Sequence, residues 1–410
     1  YRRQRQMCIR DSICLLGLFG LTHISKLENT SNDTEHTEEF LDISKDNNTE
    51  QTEEEFEEEF IEEENVEHFH SSDLNYETCA SGSISVSTFA DFKTYCANAT
   101  YATINVTASI TATSDVFVQG KTINMNGYTL NMGGYTLYCN ENTTINGGKI
   151  TGSKAAGNSI NDGVVRLNTP QYTLTLTSMT VQVTGSAAAI YCGCGSTYST
   201  VIHDGIVIKD STICNTGSGA AIYAAGSPCP SKNWPIYNLR INNSKIYTTA
   251  TSAYSVTSTT GVRKYRHPYA VFSTYANINI ENGSKLYNTN SGNYYRMIES
   301  YYGDVTIDST SRVEGRIIPG QGTINIDGYV ARIDDCKFHK YSTADNTNIV
   351  TLNITGTLDN FSTEGGVRYK INVSQNGVFN MITWSNFDWT KVQTTTCFCL
   401  LYTSPSPRDP

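Results

Sequence analysis

The sequence predicts an all-β fold, a solenoid of parallel strands coiled about one axis, on three observations. First, a two-strand pattern recurs between Val164 and Val330. A short strand ending in a large residue (Ala189-Ile190-Tyr191, Ala221-Ile222-Tyr223, Ala270-Val271-Phe272, Met297-Ile298) precedes an alternating strand that runs into a Ser or Gly turn. Those second strands are Ile206–Ser211, Leu239–Ser244, Ile278–Ser284 and Val305–Ser309, with Ile324–Gly328 as a fifth. Second, successive first strands start 32, 49 and 27 residues apart, about one coil each. Third, charged residues are only 17% of a chain rich in Thr, Ser, Asn, Gly and Tyr, which suits strands and polar turns rather than helices. One coil cannot bury its apolar side alone, so the coils must stack.

Taken in order, residues 1–12 and 399–410 resemble translations of the transposon-end adapters used to build sequencing libraries, and are set apart from the fold. The natural protein is then expected to start before Ile13 and to run past Phe398. Within 13–25, Ile13-Cys14-Leu15-Leu16-Gly17-Leu18-Phe19-Gly20-Leu21 is too short to span a bilayer but suits the apolar core of a secretory signal peptide. Residues 26–75 read as an acidic, disordered spacer. Between Lys26 and Asp73 lie 19 Asp and Glu against Lys26 and Lys45, a local net of −17, whereas the whole chain carries −11. Self-repulsion extends such a segment and opposes any helix through Phe56 and Phe60.

Cysteine use agrees with export. Of 12 cysteines, nine lie outside the adapters and the signal segment. Their pairing is not legible in the sequence, and both disulfides and stacked core cysteines fit. Cys214 and Cys229 are candidates to pin neighbouring coils. Cys192-Gly193-Cys194 lacks the second ligand pair that a zinc site needs.

The ordered domain is expected over 76–398. Ser87-Thr88 caps a short helix with Phe89, Phe92 and Cys96 on one side. Strands follow at Thr103–Thr107, Val116–Val118, Lys121–Leu130 and Thr143–Ile150. This capping helix, the Ile-x-Val strand, the Ile123-x-Met125-Asn126-Gly127-Tyr128-Thr129-Leu130 stretch and the Asn146-Gly147-Gly148-x-Ile150 turn resemble the opening of pectate-lyase-like proteins. The resemblance implies a single-stranded right-handed parallel β-helix with a short N-terminal capping helix. Its motifs are motifs of turns and core, and carry no chemistry. The helix is expected to cover the first coil, whose edge would otherwise be open. Val378–Trp384 still reads as strand.

Stacking makes columns of equivalent positions, and several of these are candidates for function. Glu281, Asp308 and Asp327 follow Lys209 and Asn242 in one column; either they are solvated turn residues or they hold calcium between them. Tyr191, Tyr223 and Phe272 form an aromatic column, read either as a platform for sugar rings or as filler between coils. Arg263, Lys264 and Arg266 form the densest basic cluster, in the longest interval of the repeat, so a projecting loop is expected there. That loop is either merely solvated, a site for an anionic polysaccharide, or a dock for the acidic arm.

Catalysis can be tested residue by residue against the resemblance. The lyase signature Arg-x-Pro-x-x-Arg is half met by Arg266-His267-Pro268, but Val271 stands where the second Arg belongs. Of the hydrolase set only an Asp pair, Asp334-Asp335, is present, with His339 nearby. Adjacent strand residues point to opposite sides, so only one of the two aspartates can meet a given groove. A Thr-x-Thr ice-binding row rests on Thr173-Leu174-Thr175-Leu176-Thr177 alone.

These readings converge on a secreted or cell-surface, monomeric β-helix without catalysis that binds a glycan or another surface protein, and not nucleic acid. A polysaccharide lyase or glycosidase is the competing class, and an ice-binding or purely structural solenoid the third.

Overall fold

The computed structural model describes residues 82–156, 162–193, 202–224, 237–250, 268–290, 295–334, 349–362 and 368–380, with the backbone of 254–257, 263–266 and 392–397. The chain falls into two units, Tyr1–Leu74 and Asn75–Pro410, and every described residue belongs to the second. The expectations for 1–12, 13–25, 26–75 and 399–410 therefore lie outside the described residues.

Among the described residues, 29 strands join through parallel pairings into one array that does not close into a barrel, a parallel β-helix. Each coil contributes to three sheets, called A, B and C here. One coil runs through Asp204–Lys209 in A, Thr212–Asn215 in B and Ile222–Ala224 in C, then re-enters A at Tyr237–Asn242. Ile206 and Ile208 lie over Leu239 and Ile241, and those over Ile278 and Ile280. Coil length varies widely: 19 residues separate Asn105 from Asn124, and 39 separate Asn238 from Asn277.

The sequence reading gave each coil two strands, and the third, in sheet B, is the correction. It starts so soon after sheet A that the two merge along the chain: Thr143–Gly152 and Leu174–Val183 each pass through both sheets without a break. The residue at the A-to-B corner adopts positive φ on five successive coils, at Gly147, Ser178, Asp210, Asn243 and Asn282. Gly, Asn and Asp tolerate this left-handed geometry best, which is why turn residues end the second strands. At Gly148 the constraint is contact rather than φ. A Cβ there would lie 2.3 Å from the Met125 Cβ and 2.7 Å from the Tyr128 carbonyl.

Buried serines tie the corner together. The Ser211 Oγ accepts from the Met179 N–H, the Ser244 Oγ from the Ser211 N–H and the Ser284 Oγ from the Ser244 N–H, each at 3.0 Å.

The lumen is a stack of aliphatic side chains such as Ile123, Ile145, Leu176, Ile208, Ile241 and Ile280, all fully buried. Burying each contributes about 1.5–3 kcal/mol. The helix Phe89–Ala97 packs over this stack's first coil, with Phe92 and Cys96 buried and Phe89 partly so. Thr88 is its N-cap, accepting from the Asp91 N–H at 3.2 Å. A strand the sequence did not reveal, Gly82–Val86, precedes it and pairs with Tyr101–Val106.

Cys214 faces outward between Gln182 and Tyr247 in register, and is a free buried thiol rather than half of a described disulfide. Its neighbours in the column are not cysteines, so register gives it no partner thiol; Cys229 lies outside the described residues. Cys96, Cys139 and Cys192 are buried in the core.

Candidate functional site

The three sheets turn different chemistry outward. On sheet A, small polar side chains bond to their own kind up the axis. Asn146 donates to Asn124 (3.1 Å) and Asn124 to Asn105 (2.9 Å); farther along, Asn372 donates to Asn353 and Asn353 to Asn325, both at 2.8 Å. Beside the first ladder Thr103, Thr122, Thr144 and Thr175 share one column. The row inferred from Thr173–Thr177 alone thus extends over neighbouring coils, largely as Thr-x-Asn. The register also puts Lys209, Asn242 and Glu281 in one column, with Asp308 and Asp327 following their paired neighbours Ile307 and Ile326.

These carboxylates take donors from the protein. Glu281 accepts from Arg240 at 3.0 Å and Asn242 at 3.3 Å. Asp308 accepts from the Asn282 N–H at 2.5 Å and from the Thr310 N–H at 3.0 Å, and Asp327 bonds Thr355. Burial raises the Asp308 pKa, but hydrogen bonds from Asn282, Ser311 and Thr310 outweigh it and hold the carboxyl below its ordinary value. No three metal-ligating side chains converge among the described residues.

Sheet C carries the aromatic residues singled out in the sequence. Tyr191, Tyr223 and Phe272 are in register, with ring centroids 5.4 and 4.7 Å apart. They are buried to 2%, 9% and 2% exposure, packed with Ala188, Ala220 and Tyr269 in an apolar cluster outside the lumen. Of the two readings of this column, the burial favours filler between coils over rings offered to sugars. Phe272 lies over Glu299, and from there the sheet becomes ionic. Arg296, Arg316 and Arg332 stand one above another, an arrangement that neither periodicity nor motif had revealed. The only sequence signal is an Arg just ahead of Met297-Ile298, Ile317 and Ile333.

Asp334, 6% exposed, is bound by Arg316 at 2.8 Å and by Arg332, while Arg296 lies 3.8 Å from Glu299 and donates to the Tyr269 hydroxyl at 3.4 Å. Burial, reinforced by Glu299, pushes the Tyr269 phenol well above its usual range, so it stays protonated. The Asp334 oxygens are thus committed to guanidiniums. Asp335 and His339 lie outside the described residues.

The basic cluster forms a strand, Arg263–Arg266, in an antiparallel hairpin with Tyr254–Thr257, separate from the main array. It was expected as a loop, and it is instead half of this two-stranded hairpin, within the longest interval of the repeat. His267 is outside the described residues.

Sheet B carries the site that the sequence reading missed. Lys245, Lys285 and Arg312 occupy one column on three successive coils, and Tyr247, Tyr287 and Glu314 the next column but one. Lys245 and Arg312 are exposed, and the tyrosines are half-buried. The Tyr247 and Tyr287 rings stack at 5.0 Å, so the sides that face each other are covered. The Lys285 ammonium lies 4.9 Å from the Tyr287 ring centroid and the Arg312 guanidinium 4.2 Å from that of Tyr329, contacts that hold both cations against the sheet. Glu314 approaches Lys285 at 2.9 Å and Arg312 at 3.5 Å, leaving three cations against one carboxylate in the strip.

A hydrogen bond to Cys214, with burial, pushes the Tyr247 phenol up to about 12; burial, with a hydrogen bond to Asp359, does the same for Tyr329. Both remain protonated at neutral pH. The signal was present in the sequence: Ser244-Lys245-Ile246-Tyr247 returns as Ser284-Lys285-Leu286-Tyr287 directly after the corner.

Among known proteins, no family model, no curated protein and no solved structure matches this chain. No helix among the described residues is long and apolar enough to cross a membrane.

Proposed function

We propose that this is a secreted or cell-surface β-helix of the pectate-lyase-like kind that acts, without catalysis, as a binding or adhesion module for glycans. The observation that carries the reading is the outward strip on sheet B. A lysine and a tyrosine recur there on two successive coils, Lys245 with Tyr247 and Lys285 with Tyr287, and Arg312 carries the row of cations to a third, so the row matches a polymer that also repeats its acceptors. Polar groups placed on packed strands bind without first being ordered, which lowers the entropic penalty of association.

Glycan-array retention of the whole chain tests this. Retention is expected, and Tyr287→Ala, which removes a ring stacked on Tyr247 and in contact with Lys285, should weaken it by about tenfold, or about 1.4 kcal/mol. A chain that retains no glycan at all would defeat the proposal.

A further inference from the structure

The strip on sheet B has a charge pattern that selects among glycans, an inference that rests on the glycan-binding reading. Lys245, Lys285 and Arg312 are paired coil to coil. Successive strands in such a stack lie about 4.8 Å apart. Like charges repeated at that interval repel, and among the described residues Glu314 stands between two of them. Its ion pairs are at the surface, with 35% of the Glu314 side chain and 39% of the Lys285 side chain exposed. Such pairs contribute little, so an incoming anion can share these cations.

We propose that this strip takes a linear anionic polysaccharide laid along the solenoid axis, one sulfate or carboxylate group facing each coil. The coil interval is close to the length of one sugar residue in an extended chain, so consecutive acidic sugars meet consecutive cations without bending. Tyr287, two positions along the strand from Lys285, supplies a neutral donor to the sugar oxygens, while the Tyr247 hydroxyl is engaged by Cys214. Two of the three cations are lysines, point charges that accept a sulfate in any rotation. Charge complementarity, and not an apolar contact, therefore defines the partner.

The test measures binding of the whole chain to immobilised dextran sulfate, polygalacturonate, neutral dextran and duplex DNA across a salt series. Binding to one or both acidic glycans is expected, falling as salt rises, and the better of the two identifies the anionic group. Lys285→Gln should weaken it by up to about fivefold and Glu314→Gln should tighten it by a similar factor. Lys93→Gln, on the capping helix, should leave it unchanged. Equal losses from Lys93→Gln and Lys285→Gln, or no gain from Glu314→Gln, would overturn the assignment. So would DNA binding as strong as that of the glycans. Neutral dextran bound as well as dextran sulfate would overturn the charge selection yet leave the glycan-binding reading standing, whereas no binding to any glycan would remove both.

Discussion

Sheets A and B are built from the same coils, a few residues apart, and place equivalent positions over one another in the same way, yet they treat polar groups oppositely. On sheet A an asparagine can be donor and acceptor at once, so a column of asparagines closes on itself, each amide serving the next. On sheet B the column is Lys245, Lys285 and Arg312, which donate only and repel each other. Identical stacking is therefore self-satisfying with amides and unsatisfied with cations. The first arrangement supports the fold; the second invites a foreign anion.

The contrast can be broken most severely from beneath, because both sheets rest on the same lumen. Ile241, fully buried in that stack, should lose about 2–5 kcal/mol on change to Ala, read as a lower melting temperature, with both surfaces lost together on unfolding. An equally stable variant would mean that the coils are held by their edges alone.

A sharper cut separates the two sheets. Asn353→Ala removes the acceptor of Asn372 and the donor to Asn325, so denaturant titration should show a loss of about 0.5–1.5 kcal/mol. Lys285→Gln should change stability by less than about 0.5 kcal/mol while weakening polyanion binding. The reverse assignment of the two losses would show that the roles of the sheets had been exchanged.

The smallest effect concerns pH. Asp308 is held below its ordinary value in the folded chain, so its contribution is complete above the unfolded carboxyl's value of about 4 and disappears as pH falls through the folded value. Melting temperatures of the parent chain and Asp308→Asn should differ at neutral pH and converge on acidification. A gap that widens in acid would contradict the hydrogen bonds from Asn282 and Thr310.

The lumen was legible in the sequence because Ile208, Ile241 and Ile280 mark each coil with the alternation that a strand with one apolar side imposes. Thr88 likewise announced its helix through capping chemistry. Sheet B was harder to see because no break separates it from sheet A in Thr143–Gly152 or Leu174–Val183, and a pattern read as one strand hides the corner inside it. The arginine column lay beyond reach for another reason. Arg296, Arg316 and Arg332 meet only through coils of unequal length, and spacing along the chain says nothing about which residues come to lie together. Tyr191, Tyr223 and Phe272 were correctly aligned, but alignment does not reveal burial.

The serine-tied corner between sheets A and B has a consequence for how such a molecule changes length. Ser211 and Ser244 occupy the same place 33 residues apart. Excising one whole turn of chain, from Ser211 through Asn243, brings Ser244 under Met179 with the same bond to make. The repeated serine bond thus makes the corner a spine whose units are alike at this point, so a chain shortened by that unit is expected to keep the bond at the join.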